Sequence, residues 1–109
     1  MRVAMHSVIR TGSELDYERE HERIPAELAA RFAQLGIRDW TIWRSGLDLF
    51  HLVECDDFAS AIRALDDDPA NVAWQERIGR YVDHFVLTGE GPEGMPIRQV
   101  WRLSEQADE

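Results

Sequence analysis

An α+β sandwich is the architecture this sequence predicts, with strands and helices in the order βαββαβ. Three observations carry the prediction. The chain has 109 residues, enough for one core that buries about two-thirds of the unfolded surface. Its apolar residues, 44% of the total, switch between strand-like alternation and helical spacing along the chain. Turn and cap residues fall between those segments: Thr11-Gly12-Ser13, Gly36, Ser45-Gly46 and Asp68-Pro69.

Residues 2–10 alternate, with Val3, Met5, Ser7 and Ile9 on one face and Ala4, His6 and Val8 on the other. Ser13 is placed to cap a helix whose first turn is acidic. Over residues 15–35, Leu15, Ile24, Leu28, Phe32 and Leu35 fall at helical spacing, and Gly36 is a stop signal. Pro25 interrupts that pattern. It removes the bond from its own nitrogen to the carbonyl of residue 21, so the helix kinks there or restarts. Residues 37–44, with Trp40-Thr41-Ile42-Trp43, read as a strand, Ser45-Gly46 as a hairpin turn, and residues 47–55 as its partner. Phe58, Ala61, Ile62 and Leu65 mark one face of a second helical region. Asp68-Pro69 reads as an N-cap followed by proline at the first helical position. That helix carries Val72, Trp74, Ile78 and Val82. Gly91, Pro92, Gly94 and Pro96 make residues 90–96 a loop; residues 95–103 form the expected last strand, and 104–109 a polar tail.

This order is that of a ferredoxin-like sandwich, four antiparallel strands with two helices on one face. Residues 1–103 are read as a single domain. The other sheet face would be apolar and bare, and a second copy of the chain is the expected cover. A homodimer of the dimeric α/β barrel type is therefore expected.

Charge and composition narrow the partners. Twelve basic residues, all Arg, against 21 acidic ones give a net charge of −9, a field that repels nucleic acid and anionic membrane surfaces. No apolar run is long enough to span a bilayer. The N-terminus lacks the apolar stretch of a signal peptide, and the lone Cys55 points to a reducing, cytoplasmic compartment.

Most chemically capable residues lack a motif. His6, His21, His51 and His84 show no metal-ligand spacing, Cys55 has no flanking motif, no serine sits in a nucleophile elbow, and the glycines form no phosphate loop. Tyr17 and His21 are the exception. Four residues apart on the first helix, they share the stripe of Ile24, Leu28 and Leu35 and so face the sheet. The bland reading is a core histidine hydrogen-bonded by Tyr17; the functional one is a polar pocket opened by the break at Pro25. Trp40, Trp43 and Trp74 each read singly as core or interface. Together with a few polar groups, such aromatics also suit a sugar, whose C–H face stacks on a ring.

The residues Tyr17-x-x-x-His21, Glu27-Leu28, Gly36-Ile37, Trp40-Thr41-Ile42-Trp43, Leu49-Phe50, Asp68-Pro69-Ala70-Asn71-Val72-Ala73-Trp74-Gln75 and Gln99-Val100-Trp101 stand in an order and spacing that resembles the L-rhamnose mutarotase family. The resemblance runs over about residues 2–103. It implies a dimeric enzyme that interconverts the α and β anomers of a 6-deoxy pyranose, L-rhamnose foremost, with no cofactor and no metal. It implies His21 as proton donor, with Tyr17, Trp40, Trp74 and Gln75 binding the monosaccharide. Trp40 stands where members usually have Tyr, keeping a stacking surface and one donor. Pro25-Ala26 stands where members usually have Trp-Pro. Other dimeric barrels of this shape imply one alternative, a cofactor-independent monooxygenase or haem-degrading enzyme; the Pro25 and Trp40 departures give a second, a sugar-binding dimer without catalysis.

Overall fold

The computed structural model describes residues 1–106; the last three positions of the expected polar tail lie outside the described residues. Strand β1 (Arg2–Ile9) leads into helices α1 (Glu14–Glu20) and α2 (Ala26–Gln34). The hairpin β2 (Ile37–Ser45) and β3 (Asp48–Cys55) follows, then α3 (Phe58–Asp66), α4 (Pro69–Ile78), β4 (Val82–Phe85) and β5 (Pro96–Ile97). The sheet runs β2-β3-β1-β4 with every pairing antiparallel, and β5 joins the same edge of β1 as β4.

The α+β sandwich is as expected, with three local differences. The helix over residues 15–35 is two helices, because Pro25 takes an extended ψ of 141° and restarts the chain as the cap of α2. Leu15, expected on the buried stripe, is 69% exposed as a result. Val82 belongs to β4 rather than to α4, which ends at Ile78. The strand expected over 95–103 pairs only at Pro96 and Ile97, against Met5 and Ala4. Thus β4 and β5 together fill the fourth position of the sheet, one at each end of β1.

Alternation builds the core. The inner row of β1 is Val3, Met5, Ser7 and Ile9, and that of β3 is Leu49, His51, Val53 and Cys55, all buried. Leu28 of α2, Phe58, Ala61 and Leu65 of α3, and Trp74 and Ile78 of α4 close over them. Met5, Leu28 and Val53 are fully buried, each contributing roughly 1.5–3 kcal/mol by removal from water. Two polar residues, Ser7 and His51, interrupt this apolar floor.

The opposite sheet face stays open. Trp43 and Phe50 are cross-strand neighbours there, 54% and 41% exposed, and His6 stacks on Phe50 at 4.8 Å. Beyond β5 the chain leaves the sheet, and Val100, Trp101 and Leu103 are 92%, 65% and 68% exposed. The accessible surface is 7475 Å², against about 6,200 Å² for a compact monomer of this mass. No helix among the described residues is long and apolar enough to cross a membrane.

Candidate active site

Between the inner sheet face and the helices lies a cavity of about 850 Å³. Tyr17, His21, Trp40, Trp74 and Gln75 all line it, so the fold brings every sequence-derived candidate to one place.

Local structure explains each position. Helix α1 is only two turns long, and His21 occupies its C-cap, the backbone N–H donating to the Tyr17 carbonyl at 3.1 Å. The chain then leaves the helix until Pro25, so His21 projects from a helix end into the cavity wall. Its ring stacks on Tyr17 at 4.4 Å and meets the edge of Trp74 at 5.1 Å. Stacking thus replaces the Tyr17–His21 hydrogen bond of the bland reading. Trp74 is held by α4, whose start is fixed by Asp68: its carboxylate accepts from the N–H of Ala70 at 3.0 Å and of Asn71 at 3.3 Å. Arg31 of α2 donates to the other Asp68 oxygen at 2.8 Å, tying the two helices together.

Burial sets the electrostatics. The His21 Nδ1 is buried with no hydrogen-bond partner. Desolvation lowers the His21 pKa below its ordinary value, against the smaller opposing pulls of the Tyr17 backbone carbonyl and the Glu20 charge. The ring is therefore neutral at neutral pH, and Nε2 is the nitrogen left for exchange with the cavity. Burial also raises the Tyr17 pKa well above the ordinary phenol range, so the hydroxyl keeps its proton.

Trp40 departs from expectation. Its indole N–H, expected as a free donor, donates to His51 Nδ1 at 3.2 Å. The ring stacks on Phe32 at 5.5 Å and so remains a wall of the cavity. Gln75 sits exposed at the rim, its amide donating to Asn71 Oδ1 at 3.4 Å.

Sequence reasoning passed over Ser7 and His51, which also line the cavity and lie 2.9 Å apart, Ser7 Oγ to His51 Nε2. The signal was available: each is a polar residue in the core-facing register of an otherwise apolar strand. His6 and His51 lie on opposite faces of the sheet, and His84 is exposed beside Asp83. Among the described residues no cluster of three or more His, Cys, Asp or Glu has metal-site geometry.

Solved structures share this architecture. An L-rhamnose mutarotase from Formosa agariphila superposes with a TM-score of 0.73 at 15% identity, covering 94% of this chain and 98% of that one. Tetracenomycin F2 cyclase from Streptomyces glaucescens, a type-II polyketide cyclase, gives 0.65 at 18% identity, covering 94% and 95%. An uncharacterised NIPSNAP domain protein from Burkholderia xenovorans gives 0.55 at 20% identity, covering 79% and 88%. These likenesses, all at low identity, speak to the fold. No curated protein matches the sequence. The sequence itself matches the model of the L-rhamnose mutarotase family over residues 2–103, and the chain belongs to that family.

Proposed function

We propose that the protein is a mutarotase that interconverts the α and β anomers of a 6-deoxy pyranose, with L-rhamnose the first candidate. The observation that carries this reading is His21: a neutral imidazole in a cavity wall, packed between Tyr17 and Trp74, with Nδ1 buried and only Nε2 left to exchange a proton. Mutarotation needs no more than proton movement. Nε2 takes the proton of the anomeric hydroxyl as the bond from the anomeric carbon to the ring oxygen breaks and the aldehyde forms. The imidazolium, destabilised by burial, returns the proton to the former ring oxygen. Rotation of the aldehyde and the reverse sequence close the ring on the other face. The protonated Tyr17 hydroxyl serves as a donor that orients the sugar. Trp40 and Trp74 wall its apolar face, and Gln75 meets its hydroxyls at the rim.

The test is magnetisation exchange between the anomeric protons of L-rhamnose and L-fucose, with the protein and with His21→Ala. Protein-dependent exchange that falls by roughly 10²-fold or more in the variant supports the assignment. Exchange that survives in His21→Ala removes His21 from the mechanism; no exchange with either sugar removes the 6-deoxy pyranose.

The open sheet face supports a homodimer. Trp43 and Phe50 are exposed side by side on it, and the surface of 7475 Å² exceeds that of a compact monomer. A second copy seated face to face covers them and gives the residues after β5 a surface to lie on.

A further inference from the structure

We infer that Trp40, His51 and Ser7 form a one-way chain of hydrogen bonds that ends in a hydroxyl donor on the cavity floor, a subsite for an oxygen atom of the substrate. The inference deepens the mutarotase reading and rests on it for the kind of ligand.

The direction follows from what each group can do. An indole N–H only donates. Trp40 Nε1 lies 3.2 Å from His51 Nδ1, so Nδ1 must accept with its lone pair. The imidazole proton is then on Nε2. That nitrogen lies 2.9 Å from Ser7 Oγ and donates to it. Ser7, having accepted, has its own proton free, and it lines the cavity. The chain therefore runs from Trp40 to His51 to Ser7 and then to whatever oxygen enters. Protonating His51 would place a hydrogen on Nδ1 against the indole N–H, so the ring stays neutral. The direction in which its pKa is moved by burial agrees. Packing holds the ring in place: Phe85 lies at 5.8 Å and Trp40 at 6.2 Å between ring centres.

The chain gives the floor a polarity. Met5 and Leu49, the neighbours of Ser7 on this sheet face, are apolar and fully or almost fully buried, so the strand side chains next to Ser7 offer an oxygen no second donor. A carbon bearing hydrogen or methyl at that point leaves the Ser7 proton unpaired in a dry site. The subsite thus selects a sugar that presents a hydroxyl or ring oxygen to the floor, and turns its deoxy carbon elsewhere. Ser7 is the residue that touches substrate; His51 and Trp40 are positioning residues that act through it.

Two measurements test this separately from the mutarotase reading. The first is ¹⁵N-edited NMR of the imidazole rings in the ligand-free protein. A neutral His51 with its proton on Nε2, changed to a mixture of tautomers in Trp40→Phe, is expected. A proton on Nδ1, or a ring indifferent to Trp40→Phe, overturns the chain whatever the activity. The second compares wild type with Ser7→Ala on L-rhamnose and its monodeoxy relatives. Ser7→Ala should raise KM or lower kcat/KM by roughly tenfold to a hundredfold on L-rhamnose. That loss should shrink towards none for the one relative lacking the floor-facing hydroxyl, or for none of them if the ring oxygen is the acceptor. Wild-type activity on L-rhamnose with no loss in Ser7→Ala overturns the subsite. If L-rhamnose binds without anomer exchange, the mutarotase reading fails and the same comparison is read in Kd. If no sugar binds, both fall, while the NMR result still decides the chain.

Discussion

Acid should weaken this fold through His51 by an amount that can be worked out. In an unfolded chain the imidazole titrates near 6.5, whereas in the fold burial, helped by the positive charges of His21 and His6, lowers it to about 4. Above pH 6.5 the ring is neutral in both states and His51 costs nothing. As pH falls below 6.5 the unfolded chain takes up a proton that the folded chain refuses, so stability is lost, and the loss levels off below the folded value near 4. At about 1.4 kcal/mol per unit, the full window amounts to about 3 kcal/mol, with about 2 kcal/mol gone by pH 5. The assay is urea unfolding followed by tryptophan fluorescence at pH 7.5 and 5, for the wild type and His51→Leu. Carboxylates act in both proteins and cancel in the difference, and the coupling of His51 to His21 and His6 is already contained in its lowered value. The variant is less stable at pH 7.5, because Ser7 and the Trp40 N–H lose their partner, but the gap should narrow by about 2 kcal/mol at pH 5. Parallel loss in the two proteins would refute the reasoning.

Anomer exchange should follow the neutral form of His21, so kcat/KM should rise through a midpoint below pH 6.5 and stay flat above it; a midpoint above 6.5 contradicts the burial argument. Asp68→Ala removes the cap of α4 and the Arg31 contact, and should cost about 1–2 kcal/mol in thermal or urea unfolding; no change would mean that Asp68 does not fix α4. Phe50→Glu places a charge on the open sheet face, and sedimentation at micromolar concentration should show a monomer. An unchanged dimer mass would place the interface elsewhere.

Much of this architecture is legible in the residues, and the exceptions have physical reasons. Caps and hairpin signals are local, so Asp68-Pro69 and Ser45-Gly46 could be read directly. Val82 lies four residues after Ile78, so it continues the helical stripe, and periodicity alone could not show that α4 stops before it. Residues 95–103 have strand-like composition, but a strand needs a neighbour, and among the described residues only Pro96 and Ile97 find one. Tyr17 and His21 stood out because they share a helix stripe. Ser7 and His51 belong to different strands, and only the register that sets Ser7 opposite Leu49 and Met5 opposite His51 brings them together. Where the Trp40 N–H points was likewise settled by a partner eleven residues away.

The position of β1 shapes how the chain assembles during synthesis. It is the earliest strand of this domain in chain order, yet it lies in the interior of the sheet, between β3 and the β4–β5 edge. Its first partner is complete only at Cys55, and its second edge is covered only after Ile97. The β2–β3 hairpin, with partners close in sequence, can close early; β1 must wait, apolar on its inner row and unpaired on one edge. Translation stalled in the region of α4 therefore leaves a strand edge open to pairing with other nascent chains.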